Sequence, residues 1–332
     1  MNANSPRRID IHAHYYPPSY LRLIEAEGGA FGATYEATEK GPVVRVAGLH
    51  AGPLGPAFID LDLRIAAMDE SGVDVQALSL TQPMVYWGDR DFAGRLAAAY
   101  NDALAAAHEA HPDRLVGFAT LPMPYPDLAV AELERAAGLP GIRGIYLATR
   151  ILDRELSDES FFPVYERAEA LGLPIFLHPV NVIDPARLKD YFLSNLLGNP
   201  FDTAIAAAHL VFGGVLDRFP RLTICLPHAG GAFPYLAGRL NHGWKVRPEC
   251  GHLKDGPLTY LRRFTYDTIA HAPDALAYLI DTVGADRVML GSDYCFDMGC
   301  ERPVEVVTDL PGLGDADRQA ILGGNAAALL KL

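Results

Sequence analysis

The sequence predicts an α/β protein built as a single (β/α)8 TIM barrel, with a small insertion after its first strand. Two observations carry this expectation. Short, continuously apolar strands alternate with segments of helical periodicity along the chain, the pattern of a parallel sheet covered by helices. Polar residues able to bind a metal also stand where several of those strands end, and a closed barrel brings its strand ends to one mouth.

The first strand is Arg8-Ile9-Asp10-Ile11-His12-Ala13-His14, where apolar and polar residues alternate. Residues at i and i+2 of a strand share a face, so His12 and His14 converge. Tyr15-Tyr16-Pro17-Pro18 then breaks the strand. Residues 15–58 read as an insertion beside the mouth, rich in Gly and Pro, with one short strand at Val43-Val44-Arg45-Val46. A helix starts near Asp60, with Leu63, Ala67 and Ile59 expected on its inner face, and stops at Gly72. The second strand lies within Val73–Leu80. Asp91–His111 forms a helix with Leu96, Tyr100, Ala103 and Leu104 on one stripe.

Further strands are expected at Leu115–Leu121, Ile142–Ala148, Leu173–His178, Leu222–Pro227, Phe264–Ile269 and Arg287–Gly291. The helices between them fall at Asp127–Ala137, Ser160–Leu171, Asp202–Phe219 and Pro273–Val283, and Asp315–Leu332 closes the chain. With the first two strands the count reaches the eight of a closed barrel. A doubly wound open sheet is the structural alternative. It ordinarily carries a glycine-rich loop after its first strand, where this chain has His-Ala-His-Tyr-Tyr-Pro-Pro. No linker divides the 332 residues, so one domain spanning 1–332 is expected.

Composition narrows the function classes. Half the residues are hydrophobic, enough for a large core, and the formal net charge of -13 disfavours a nonspecific grip on nucleic acid or anionic membrane. No apolar run reaches the ~18 residues of a membrane span. A cytoplasmic location is the default expectation. The four cysteines form no Cys-x-x-Cys, so neither a disulfide framework nor a zinc knuckle is indicated.

His178 ends one predicted strand, His228 another, and Asp293 follows a third. Read singly, each fits a hydrogen-bonded structural residue. Together with His12 and His14 they end four strands with five ionisable groups, and desolvated imidazoles and carboxylates need partners. Three imidazoles and a carboxylate suit a divalent metal such as zinc, with a position left open for chemistry. A second metal is disfavoured, because the end of the fourth strand, Tyr146-Leu147-Ala148-Thr149, offers neither Lys nor Glu.

Taken with Leu177-His178-Pro179, His228-Ala229-Gly230-Gly231-Ala232-Phe233-Pro234-Tyr235 and Gly291-Ser292-Asp293-Tyr294, the opening motif resembles the amidohydrolase-2 group of the amidohydrolase superfamily. Within it the chain is most similar to the 2-amino-3-carboxymuconate-6-semialdehyde decarboxylases. Tyr86-Trp87, Phe162-Pro163-Val164-Tyr165 and Gly238-Arg239-Leu240-Asn241-His242-Gly243 add to the likeness. The resemblance implies a single Zn2+, with Mn2+ as another candidate, held by His12, His14, His178 and Asp293. It implies His228 and Asp293 as the groups that handle protons; His271, just beyond the seventh strand, is expected from its position to support the ligands from behind. Arg45, Arg239, Trp87 and Phe296 become substrate contacts, with Arg239 reaching the neighbouring site of a homodimer.

The implied reaction is nonoxidative decarboxylation of a small unsaturated or aromatic carboxylic acid. Hydrolysis or hydration on the same scaffold and an inactive metal-binding scaffold are the alternatives. Where the family has His-Pro-Trp and Asp-Tyr-Pro-Phe, this chain has His178-Pro179-Val180 and Asp293-Tyr294-Cys295-Phe296. The donor set is kept and the pocket walls differ.

Overall fold

The computed structural model describes residues 7–180 and 182–332. Eight parallel strands form one sheet: β1 (Ile9–His14), β2 (Val75–Ser79), β3 (Leu115–Thr120), β4 (Ile142–Ala148), β5 (Ile175–His178), β6 (Ile224–Leu226), β7 (Phe264–Asp267) and β8 (Val288–Met289). They neighbour one another in sequence order. The sheet closes on itself where Ile11 N donates to Leu290 O at 2.9 Å and His14 N donates to Tyr294 O at 2.7 Å. The fold is therefore the expected (β/α)8 barrel.

Strand and helix boundaries follow residue chemistry. The strands are buried almost throughout, Arg143 of β4 being partly exposed, as expected when one face lines the barrel and the other packs on helices. The helix Arg90–Ala110 is capped by Asp89, which accepts from Phe92 N, and buries Leu96, Tyr100 and Leu104. Inside the barrel Phe118 of β3 stacks on Phe176 of β5 with centroids 3.9 Å apart. Gly144 of the intervening β4 permits this, because a Cβ there would meet Phe118 at 3.0 Å and Phe176 at 3.2 Å. Phe176 lies two residues before His178 on the same strand face, so the stack fills the barrel beneath the histidines.

The stretch between β1 and β2 holds more structure than the sequence suggested. A helix, Pro18–Glu27, starts directly at the proline that reads as a breaker, because proline is well suited to the first helical position. The strand near Val43 is the middle one of a three-stranded antiparallel sheet, Thr34–Thr38, Gly41–Val46 and Leu49–Ala51. Glycine and proline at its turns mask the flanking strands.

One helix faces the barrel differently from the expectation. Leu61–Ser71 is capped by Asp60 and stopped by Gly72 in the left-handed conformation, yet it buries Arg64 and Met68. Leu63, expected inside, is 49% exposed. Arg64 turns inward because polar partners wait for it: Nη1 donates to Gln76 Oε1 at 2.6 Å, and Nη2 donates to the carbonyl of His14. Its guanidinium also lies 4.9 Å from the Tyr294 ring centroid. Among the described residues no helix is long and apolar enough to cross a membrane.

Arg64→Ala is expected to cost about 3 kcal/mol, since it strands the Gln76 carbonyl and the His14 carbonyl in the interior. Urea denaturation of the two proteins checks this; a loss near zero would show that water replaces the guanidinium.

Candidate metal centre and cavity

The polar residues that end the strands meet at the carboxyl end of the barrel. His12, His178, His228 and Asp293 each offer a ligand atom within 4.8 Å of all the others. His14 joins them through Asp293, its Nε2 standing 2.9 Å from Oδ1. His12 Nε2 is 3.5 Å from the same oxygen, and His228 Nε2 is 3.6 Å from Oδ2.

The outer nitrogens of three of these rings are already engaged. His12 Nδ1 donates to Asp267 Oδ2 at 2.7 Å. His178 Nδ1 donates to the carbonyl of Pro179 at 2.8 Å, with Thr81 Oγ1 3.0 Å away. Ser79 Oγ donates to Ala13 O, leaving its oxygen to accept from His14 Nδ1 at 3.2 Å. With Nδ1 carrying the proton, each Nε2 keeps its lone pair, and the convergence of the rings turns these lone pairs toward Asp293. Nε2 of His12 and His14 and Oδ1 of Asp293 are buried without a hydrogen-bond partner among the described residues. Buried acceptor atoms crowded together and unsatisfied are what a cation relieves, so the donor set fits a divalent metal.

The backbone supports this convergence. His228, Ala229 and Asp293 all adopt positive φ, 54°, 55° and 57°, a region uncommon for residues with side chains. Asp267 holds the turn at His228: Oδ2 accepts from His228 N at 2.9 Å and Oδ1 from Ala229 N at 2.7 Å. Asp10, fully buried, accepts from Gln76 Nε2 at 2.8 Å, His12 N at 3.0 Å and Ser292 N at 3.0 Å, tying β1, β2 and the loop after β8 together.

Asp267 and Asp10 were missed as site residues by sequence reasoning. Asp267 ends its strand as His178 ends β5, but the predicted strand ran on to Ile269 and hid it.

Burial dominates the electrostatics. It pushes the His14 imidazole down to about 4, against an upward pull from Asp293. It also holds His178 well below the usual imidazole range. For His12, burial pulls down, but Asp293, Asp267 and Asp10 together hold it above the ordinary value. Asp293 stays well below the usual carboxylate range despite burial, because His12, His14 and His228 surround it.

A cavity of about 550 Å3 opens onto His228 and Asp293. Leu196, Pro200, Ile269, Leu279 and Met298 give it apolar walls, while Asn195, Asn199, His271 and Tyr278 supply polar edges. Among the described residues no Arg or Lys lines it.

The remaining expected site residues fall unevenly. Phe296 lies against His14, with ring centroids 5.3 Å apart. His271 is exposed on the cavity wall rather than behind the ligands. Trp87 packs on Phe92 and donates to Met84 O at 3.3 Å, outside the lining. Arg45 sits on the small sheet, 52% exposed, paired with Glu36 at 3.1 Å and likewise outside the lining. Arg239 is exposed on the helix Phe233–Val246, whose first turn supplies Pro234 and Tyr235 to the cavity.

The Amidohydro_2 family model, described as amidohydrolase, matches residues 9–332. The chain belongs to the amidohydrolase family. Among curated relatives of this amidohydrolase, 2-amino-3-carboxymuconate-6-semialdehyde decarboxylase of Dictyostelium discoideum is 32% identical over 98% of this chain and 92% of its own length. The structure of 5-carboxyvanillate decarboxylase LigW from Sphingomonas paucimobilis superposes with a TM-score of 0.85 at 29% identity, covering 99% of this chain and all of that one. A dihydroxybenzoic acid decarboxylase from Polaromonas sp. JS666, solved with manganese and the inhibitor 2-nitroresorcinol, gives 0.80 at 26% identity, covering 98% and 97%.

Two outcomes follow from the support of the ligands. Asp267→Ala, which frees His12 Nδ1 and the backbone amides of His228, Ala229 and Ile269, is expected to weaken divalent metal binding ~10- to 100-fold, read by competition with a chelating dye. Unchanged affinity would deny Asp267 its positioning part. The second concerns the apoprotein. An unfolded imidazole titrates near 6.5, so between that value and about 4 the unfolded chain binds a proton that folded His14 refuses. Stability from this source is present at neutral pH and lost as pH falls through that window. His12 acts oppositely, its contribution being lost as pH rises through its raised folded value. In urea titrations of chelated protein, His14→Asn is expected to lose less stability than wild type between pH 6.5 and 4; equal losses would contradict a buried neutral His14.

Proposed function

We propose that this amidohydrolase is a metal-dependent decarboxylase of a small unsaturated or aromatic carboxylic acid. The observation that carries the reading is the set of buried, unsatisfied Nε2 and carboxylate atoms around Asp293, beside a cavity with largely apolar walls. The decarboxylase names of the three relatives above support it.

His12, His14, His178 and Asp293 are assigned as the ligands, with zinc as the ion that suits nitrogen and oxygen donors and manganese as the ion of the Polaromonas relative. A divalent ion in that set supplies a fixed positive charge against which negative charge on the substrate is stabilised. The apolar walls orient the flat body of the acid and exclude water. Phe296, packed on His14, shapes the wall beside the donor set, and Trp87 acts only at a distance.

In the reaction the carbon–carbon bond to the carboxylate breaks, CO2 leaves, and a proton joins the carbon that held it. His228 Nε2 delivers that proton, and Asp293 Oδ2, 3.6 Å away, steadies the imidazolium. Imidazole suits the task because its two ring nitrogens let it take up a proton and pass one on.

Arg239 takes part only in an assembly. Leu196 and Tyr235 stand exposed on the cavity rim, with Leu197, Phe192 and Tyr191 exposed on the same segment as Leu196. Apolar surface of this kind suits burial against a second copy. In such a homodimer Arg239 enters the neighbouring cavity and grips the reacting carboxylate. Arg45 has this role only if the Glu36 pair is exchanged for substrate.

His12→Ala and His14→Ala are expected to lose bound metal and CO2 release together, while His228→Ala keeps most metal and loses at least ~100-fold in rate. Metal analysis beside a CO2 assay in 18O water checks both. Absence of CO2 from every aromatic or muconate acid offered, with 18O entering product instead, would replace decarboxylation by hydrolysis or hydration.

A further inference from the structure

We infer that Asp202 is a positioning residue, whose bond to Thr149 ties one wall of the cavity to the strand end that carries His178. Asn195, Leu196, Asn199 and Pro200 make that wall, and all four lie at or just before the start of the helix Asn199–Phe212. Asn195 and Leu196 belong to a π-helical turn, Ser194–Gly198, that runs directly into it. Such turns are rare and cluster at functional sites. The helix that follows sets where this one stands.

Asp202, in the first turn of that helix, is buried, and its Oδ2 accepts from Thr149 Oγ1 just beyond β4. Thr149 N in turn donates to His178 O at 3.0 Å. On the other side Pro200 O accepts from Ala232 N at 3.1 Å, in the loop that follows His228, and a Cβ on Gly231 would meet that oxygen at 2.3 Å. The start of the helix is thus held between the strand of His178 and the turn of His228, with Asp202 and Thr149 as the side-chain link. A carboxylate in a first turn also complements the helix dipole, but a solvent-exposed acid serves that purpose equally well. Burial pushes the Asp202 carboxyl up to about 6, with Glu155 adding to the rise and Thr149 and Arg150 opposing it. An acid here therefore carries a desolvation cost that an apolar residue of similar size would not, and the bond to Thr149 is what sets it apart.

Amide hydrogen exchange of metal-loaded protein reads the wall directly, whatever acid the cavity takes. In Asp202→Ala, peptides spanning residues 193–200 are expected to exchange at least ~10-fold faster than in wild type, while β1 and β5 keep their protection. Asp202→Asn retains an oxygen that accepts from Thr149 and is expected to stay within ~3-fold of wild type. Thr149→Val is expected to reproduce the effect of Asp202→Ala, and the double variant to add little to either, as for two halves of one contact. With 2-nitroresorcinol as the aromatic probe, calorimetry is expected to show at least ~10-fold weaker binding by Asp202→Ala at full metal content.

Unchanged exchange over 193–200 in Asp202→Ala overturns the inference. Faster exchange throughout the barrel, or loss of metal, overturns it as well, by making Asp202 a general support of the fold. Faster exchange confined to the wall, with no CO2 from any acid offered to wild type, upholds the positioning part of Asp202 and rejects the decarboxylase reading.

Discussion

The structure depends on one arrangement: the carboxylate of Asp293 held among imidazoles inside a closed barrel. Its Oδ1 stands within 3.5 Å of two Nε2 atoms and its Oδ2 3.6 Å from a third. These groups are largely withdrawn from solvent, so each constrains the others and the backbone that carries it. The positive φ at His228 and Asp293 is part of that cost, offset by the Asp267 and Asp10 hydrogen bonds that hold the two turns. The same arrangement leaves lone pairs directed at a common centre, which is why the fold and the candidate chemistry cannot be separated.

Closure of the barrel serves this centre. The seam between β1 and β8 is made by backbone bonds at Ile11 and His14 and by Asp10, which reaches Gln76 on one side and Ser292 on the other. Arg64 ties the His14 carbonyl to the same network from the helix below the insertion. His14 is thereby fixed from its ring, through Ser79, and from its main chain. Such double anchoring lets a buried imidazole stay neutral and in one tautomer.

Much of this was legible in the sequence, for a physical reason. Period-two alternation placed His12 and His14 on one face, and apolar strands made His178, His228 and Asp293 conspicuous where they stop. Residues whose role depends on a partner far along the chain were not legible. Asp267 looks like an ordinary strand residue until His12, 255 positions away, is seen to donate to it. Arg64 reads as the solvent face of a helix, since no helical pattern announces the Gln76 carbonyl waiting inside. Arg45 was placed correctly on a strand, yet Glu36 from the adjoining strand claims it on the exposed face. Pairing across strands is a tertiary fact that a local pattern does not carry.

The proposed chemistry centres on a divalent ion in the barrel mouth. Metal content of the purified wild-type chain, measured by mass spectrometry before and after chelation and alongside CO2 release, tests it directly. The account predicts about one divalent ion per chain, with activity lost as the ion leaves and regained when it is restored. Full CO2 release from metal-free protein would contradict it.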